Sequence, residues 1–142
     1  MNAWIGAVAA LTLQAAEPSD AAWTWTLYEG QGPLVLANEV PDTRHLRTTL
    51  ECDPGSGVAR LSLYGPALTG IATVKSGPAS ATTEASQVRD ATRLALRVDH
   101  PVFVAFAASG DLNVAIADQQ RPLTVPRAHL TKLRRFAELC GG

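Results

Sequence analysis

The chain has 142 residues, a length that suits one domain able to bury about two-thirds of its unfolded surface. Hydrophobic residues make up 46% of the sequence and charged residues 18%, the composition of an ordinary globular protein. The formal net charge of -1 excludes a general electrostatic attraction to nucleic acid or to anionic membranes.

The first sixteen residues contain no charged side chain and give way abruptly to the polar EPSD. An apolar run of about a dozen residues that ends in small residues is typical of a signal peptide, with cleavage after Ala15 or Ala16. A membrane-spanning helix needs about twenty apolar residues. No Lys or Arg precedes the run, so a buried N-terminal helix is the alternative. We predict a signal peptide over 1–16, a single β-rich domain over 17–142, and no transmembrane segment in the mature chain.

The sequence between residues 22 and 76 alternates between apolar and polar side chains, which is the pattern of half-buried strands. In the first strand Trp23 and Trp25 share a face, and we expect both in the core. The turn-rich DPGSG joins the third and fourth strands in a hairpin. The five predicted strands cover residues 22–28, 34–40, 45–52, 58–65 and 67–76.

The next segment, Ser76–Gln87, is small and polar without periodicity, and we predict a mobile loop there. ATRLALRVD (91–99) then alternates sharply, with Leu94 and Leu96 opposite Arg93 and Arg97, which predicts another strand. Because no long helix separates the strands, they are expected to form an antiparallel meander.

The pattern changes after Asp99. Asp99 or His100 is a candidate helix cap, Pro101 suits a first helical turn, and Gly110 suits the position after the last turn. We therefore predict a short helix near 101–109, with a strand as the alternative because β-branched residues are frequent. LNVAIAD is a further strand, QQRP (119–122) a turn, and LTV a short partner strand.

The C-terminal segment 127–140 is the clearest helix. Its apolar side chains fall within an arc of about 120° when residues are placed at 100° intervals, wide enough to pack on a sheet. The fold class is therefore mainly β (β-rich α+β): an antiparallel sheet or sandwich of about seven or eight strands carrying two helices. The apolar stripe consists of Leu130, Leu133, Phe136, Ala137 and Cys140.

The two cysteines stand at positions that both predict burial, since Cys52 lies on the apolar face of its strand and Cys140 on the apolar stripe of the last helix. In an oxidising compartment two cysteines most simply form one disulfide. We predict a Cys52–Cys140 bridge that clamps the helix onto the sheet.

No catalytic or metal-binding motif is present in the sequence. The three histidines (His45, His100 and His129) and the two cysteines do not show zinc-site spacing, and no nucleophile elbow or phosphate-binding glycine loop occurs. We predict no catalytic residue, no metal and no cofactor. The alternative is an enzyme with a dispersed site around His45, His100 or Asp111.

Arginines form two basic features. Arg89, Arg93 and Arg97 recur at every fourth position, which places them on one face of a strand, and further arginines lie on the last helix. Together they suggest a surface for an anionic envelope component or an acidic protein, whereas an ordinary solvated surface is the alternative. Nucleic acid is not an expected partner. The residues of this candidate surface are Arg89, Arg93, Arg97, Arg127, Arg134 and Arg135.

The stretch from Val102 to Phe136 resembles the closing part of the invasion-associated locus B type of small exported bacterial proteins, in which a G-x-x-L-x-V-like segment leads to P-x-T-V-P and a final helix. The resemblance implies a secreted or periplasmic, non-enzymatic β-rich domain at the cell envelope. That family carries more cysteines in the middle of the domain and none in the terminal helix. The matching positions are Ala108, Gly110, Leu112, Val114, Pro122, Thr124, Val125, Pro126 and Leu130.

The sequence thus favours an exported periplasmic or cell-envelope binding or accessory protein without catalytic activity. The polar segment Ser76–Gln87 and the arginine surface are the candidate contacts. An inhibitor or immunity-type protein that binds a partner enzyme is the alternative among binding proteins.

Overall fold

The computed structural model describes residues 18–142, so the predicted signal peptide lies outside the described residues. Nine strands and two α-helices make up the regular structure of this part of the chain. The strands are β1 (Thr24–Tyr28), β2 (Leu34–Glu39), β3 (Leu46–Cys52), β4 (Val58–Tyr64), β5 (Gly70–Ser76), β6 (Ala79–Val88), β7 (Ala91–Arg97), β8 (Asp111–Ile116) and β9 (Gln119–Thr124), and the helices are α1 (Pro101–Ser109) and α2 (Leu130–Gly141).

The strands form one curled antiparallel sheet in the order β1-β2-β3-β4-β7-β6-β5-β8-β9. This arrangement confirms the predicted mainly β fold, with nine strands where seven or eight were expected. After the β1–β4 meander the chain passes to β5 and returns through β6 to β7, which pairs with the free edge of β4. The long strand β6 joins the two halves, because only Ser86–Val88 pair with β7 while its other end pairs with β5.

Both helices pack on the inner face of the curled sheet. Three leucines point inward from the neighbouring strands β3, β4 and β7 and are buried beneath the helices: Leu50, Leu61 and Leu94. Phe103 and Phe106 of α1 meet edge to face, with ring centroids 5.7 Å apart. The whole predicted stripe of α2 is buried or packed against this core, which confirms the amphipathic assignment.

A disulfide joins Cys52 at the end of β3 to Cys140 in the last turn of α2, as predicted, with 5.7 Å between their Cα atoms. Both cysteines are fully buried. The β3–β4 turn adds two hydrogen bonds beside the bridge: Gly55 N donates to Leu139 O at 3.1 Å, and Gly57 N donates to Cys140 O at 2.8 Å. The turn therefore satisfies two of the C-terminal carbonyl groups that a helix leaves without intrahelical partners.

Helix α1 begins and ends as its sequence predicted. The His100 ring accepts a hydrogen bond through Nδ1 from Val102 N at 3.0 Å, and Pro101 occupies the first turn. Gly110 follows the helix in a left-handed conformation, with φ of 83°. The strand alternative for this segment is therefore wrong.

The mobile loop predicted over Ser76–Gln87 is wrong, because residues 79–88 form the ten-residue strand β6. The strand does alternate: Ala79 and Ala81 pack against the core, while Ser80 and Thr82 are exposed. Its inward side chains are small, so the alternation carried little hydrophobic contrast.

The prediction of a turn over QQRP is also wrong. Ile116 pairs with Gln119, so the two-residue turn consists of Ala117 and Asp118, and QQRP lies within β9. Ala117 adopts a φ of 52°, an uncommon value for a residue that carries a side chain. Pro122 is tolerated in β9 because this strand lies at the edge of the sheet.

The two tryptophans expected in the core behave differently. Trp25 is 3% exposed and belongs to the core. Trp23 precedes β1 and is only half-buried, and the guanidinium group of Arg47 covers its ring. Trp23 therefore lies outside the core, at the site described next.

Candidate binding cleft

A β-bulge in β3 redirects the side chain of Arg47. The β2–β3 pairing is regular up to Asn38 opposite Thr48, but Glu39 then pairs with Leu46, so Arg47 is an extra residue without a partner in β2. Regular alternation would place Arg47 on the face opposite Thr48. A bulge bends the strand and re-aims the side chain, and Arg47 and Thr48 consequently line the same cleft.

Trp23 holds the guanidinium group of Arg47 in place. The guanidinium carbon lies 4.1 Å from the centroid of the Trp23 ring, a cation–π contact. One nitrogen, Nη2, also lies 3.1 Å from Asp20 Oδ1. The side chains of Arg47 and Asp20 are 47% and 96% exposed, so this ion pair is screened by solvent and weak.

The cleft has a volume of about 410 Å³ and lies between the inner face of β2–β4 and the edge strand β9. This volume is near the lower end of the roughly 300–1,000 Å³ typical of small-molecule sites. Asn38, Thr48 and Leu63 form one wall, and Pro122–Thr124 form the other. The lining combines apolar surface with hydroxyl and amide groups.

Arg121 of β9 brings a second guanidinium group to the cleft. Its Nη2 donates to Tyr64 O at 2.9 Å and its Nη1 to Pro66 O at 3.3 Å, which fixes β9 against the end of β4. These two acceptors are neutral, and within residues 18–142 no Asp or Glu lines the cleft. Arg47 is paired with the exposed Asp20, whereas Arg121 contacts only neutral acceptors, so Arg121 supplies a positive charge that attracts an anion to the cleft.

The arginines singled out from the sequence lie on two different sides of the sheet. Leu94 and Leu96 of β7 point inward, so Arg93 and Arg97 point outward. The arginines of α2 lie on the inner side, because that helix packs on the inner face. The structure thus does not bring the two predicted groups into one continuous surface.

On the outer side the arginine charges are partly neutralised. Arg89 and Arg93 line a cleft of about 310 Å³ that also contains Glu51 and Asp90. Arg97 donates from Nε and Nη2 to the two carboxylate oxygens of Asp99, at 3.0 Å each, and this hydrogen bonding lowers the pKa of Asp99 below its usual value.

Two arginines of the terminal segment have structural partners. Arg134 donates to the carbonyl oxygens of Ala107 (3.3 Å) and Ala108 (3.2 Å), and so satisfies the last turn of α1. Arg135 pairs with Glu29, with Nη2 and Oε2 2.9 Å apart. Arg127 is exposed in a 3₁₀ turn (Arg127–His129) before α2.

His100 lies far from His45 and from Asp111, the other residues of the alternative dispersed catalytic site. His45 precedes β3, whereas His100 follows β7 near the opposite end of the β3–β4 hairpin, so the length of β3, about 23 Å, separates them. Asp111 lies at the other end of α1 from His100, about 13 Å along the helix. Within the described range no group of three or more His, Cys, Asp or Glu residues is arranged to hold a metal ion.

His129 and Lys132 form a basic pair at the start of α2. Lys132 Nζ donates to Trp25 O at 2.6 Å and lies 3.2 Å from His129 Nδ1. Burial of the imidazole, followed by the positive charge of Lys132, lowers the pKa of His129 below its ordinary value of 6.5.

We expect His129 to make folding less favourable at acidic pH. Its pKa is lower in the folded state, so the unfolded chain binds the proton first, and stability falls as the pH decreases through about 6.5 towards the folded-state pKa. Urea unfolding between pH 8 and pH 5 measures this dependence. The H129Q variant should show a smaller loss than the wild type over that range. An unchanged pH profile in H129Q would contradict the assignment.

No protein-family model, no curated protein and no solved structure matches this chain. The resemblance to the invasion-associated locus B type therefore stays a prediction. No helix in residues 18–142 combines the length and the apolar character needed to cross a membrane.

Proposed function

We propose that this chain is an exported, non-catalytic binding protein of the bacterial periplasm or cell envelope, and that the cleft at Arg47 and Arg121 is its ligand site. The observation that carries the proposal is the bulge at Arg47, which turns a charged side chain towards a ligand-sized cleft without carboxylates in its lining. Bulges of this kind are frequent next to functional sites because they re-aim a side chain.

Two features support the other parts of the proposal. The buried Cys52–Cys140 disulfide favours an oxidising compartment, in agreement with the signal peptide predicted from the sequence. The separation of His100 from His45 and from Asp111 favours binding over catalysis, since acid–base and nucleophilic chemistry need such groups within hydrogen-bonding reach.

The test is to fill the cleft and measure retention of a small molecule. The protein is incubated with a small-molecule extract of bacterial envelopes and examined by native mass spectrometry. We expect the wild type to carry a stoichiometric adduct and Asn38→Trp, which places an indole at the inner-face wall of the cleft, to lose it. Thr82→Trp is the matched control on the exposed outer face of β6 and should keep the adduct.

Retention of the adduct in Asn38→Trp would overturn the assignment of the cleft. The absence of any adduct from the wild type would overturn the proposed binding function. Thermal unfolding of both tryptophan variants establishes that the comparison is made between folded proteins.

A further inference from the structure

We infer that the cleft selects small organic acids, and that Asp20 competes with the ligand carboxylate for Arg47. The inference rests on the proposed function and specifies the ligand class of the same site. It follows from the hydrogen-bonding capacity of Arg47, the uncompensated charge of Arg121 and the size of the cleft.

Arg47 has hydrogen-bonding capacity beyond its contact with Asp20. A guanidinium group presents five N–H donors in a planar fork that matches the two oxygens of a carboxylate. Asp20 uses one nitrogen of this fork through one oxygen, at 3.1 Å. A carboxylate in the cleft is able to bind the fork with both oxygens, the stronger geometry, while the Trp23 ring keeps the guanidinium in place.

A ligand carboxylate can displace Asp20 from Arg47 at a small cost in free energy. Its side chain is 96% exposed and lies in the short 3₁₀ turn Asp20–Ala22, outside the sheet. An exposed single-contact ion pair contributes little to stability, so exchanging it for a ligand carboxylate has a small cost. Asp20 therefore acts as a weak internal competitor for the ligand.

Arg121 provides the second half of the anion selectivity. Two backbone carbonyl oxygens hold its side chain, and because they carry no net charge, they leave its positive charge uncompensated. Arg121 is half-buried, which strengthens its attraction for an anion relative to that of a fully exposed side chain.

The size and lining of the cleft restrict the ligand further. A volume of about 410 Å³ admits a small molecule and is too small for a folded protein. The Asn38 amide and the Thr48 hydroxyl are neutral hydrogen-bonding groups in the lining, whereas the Thr124 hydroxyl donates to Asp111 Oδ1 at 3.2 Å. These features fit a compact acid that carries additional hydroxyl or carboxylate groups.

The experiment uses citrate as the probe, with inorganic phosphate and uncharged glycerol as comparison solutes. Binding to the full-length protein is measured by calorimetry and by tryptophan fluorescence, to which Trp23 beneath Arg47 contributes. We expect Arg47→Met, which retains apolar contact with Trp23, to weaken citrate binding by about ten- to a hundredfold, the effect of losing charge-assisted hydrogen bonds. Arg44→Met removes the same charge from an exposed loop nearby and should change affinity less than about twofold.

Asp20→Asn supplies a test with the opposite sign. Removal of the competing carboxylate should tighten citrate binding several-fold. Unchanged or weaker binding would overturn the role of Asp20. Phosphate binding as tight as citrate binding would overturn the selectivity for carboxylates, and an unchanged citrate affinity in Arg47→Met would overturn the anion site.

The same variants separate this inference from the proposed function. If the adduct from the envelope extract is lost in Asn38→Trp but kept in Arg47→Met, the cleft binds a ligand that is not selected by its charge. The ligand class is then wrong while the proposed function stands. If Asn38→Trp keeps the adduct, both the ligand class and the proposed function fail.

Discussion

Removal of the Cys52–Cys140 bridge is expected to lower the free energy of unfolding by roughly 4–5 kcal/mol at 25 °C. The two cysteines are separated by 88 positions, so the bridge closes a long loop and restricts the unfolded chain strongly. A domain of this size has a total stability of only about 5–15 kcal/mol. The variant C52A/C140A should therefore be marginally stable.

Urea unfolding of C52A/C140A and of the wild type in reducing agent measures this effect. The two samples should agree to within about 1 kcal/mol of each other, because both lack the same covalent constraint and the alanine variant adds only small cavities. Hydrogen exchange should increase first in α2, whose last turn is held by Cys140 and by Gly55 and Gly57 of the β3–β4 turn. A double variant as stable as the wild type would contradict the assigned role of the bridge.

The substitution Gly110→Ala is expected to cost about 2–5 kcal/mol of stability. Gly110 has a φ of 83°, where an L-residue is strained by about 1–2 kcal/mol. An added Cβ would lie 2.3 Å from Val125 O and 2.9 Å from Leu130 Cδ2, and such overpacking costs about 1–3 kcal/mol more. The neighbours have little freedom to withdraw, because Val125 N donates to Gly110 O at 2.7 Å.

Gly77→Ala is the matched control for Gly110→Ala. Gly77 also has a positive φ, of 55°, but no atom lies within 4 Å of the position of its added Cβ. Only the conformational strain applies, so the expected loss is about 1–2 kcal/mol. Thermal and urea unfolding of both variants measure the difference, and equal losses would show that the contact with Val125 has no energetic weight.

The parts of the fold that were predicted correctly have strong hydrophobic contrast. On α2, Leu133, Phe136 and Cys140 recur at helical spacing among charged residues, and on β3 Leu50 and Cys52 alternate with Thr49 and Glu51. The burial of both cysteines followed from these two periodicities, so the disulfide could be predicted from the sequence.

The missed elements lack this contrast. The inward side chains of β6 are small because α1 packs across this strand, and alternation of Ala79 and Ala81 with Ser80 and Thr82 resembles a polar loop. In β9, Pro122 suggested a turn, but an edge strand accepts proline. The alanines at 79, 81 and 85 were the available signal for β6.

The cleft could not be predicted because its two arginines do not lie where their local sequence patterns predict. Arg47 reads as an outward residue of a regular strand, and no glycine marks the bulge that turns it. Arg121 was placed in a turn, and its approach to Tyr64 and Pro66 depends on the curl of the whole sheet. Contacts between segments so distant in sequence leave no periodicity to detect.

The position of β7 between β4 and β6 constrains how the chain matures. Until β7 has been synthesised, β4 presents an open row of backbone donors and acceptors beside Leu61 and Leu63. Such a row recruits strands from other molecules. Truncated forms that stop after β4 should therefore precipitate.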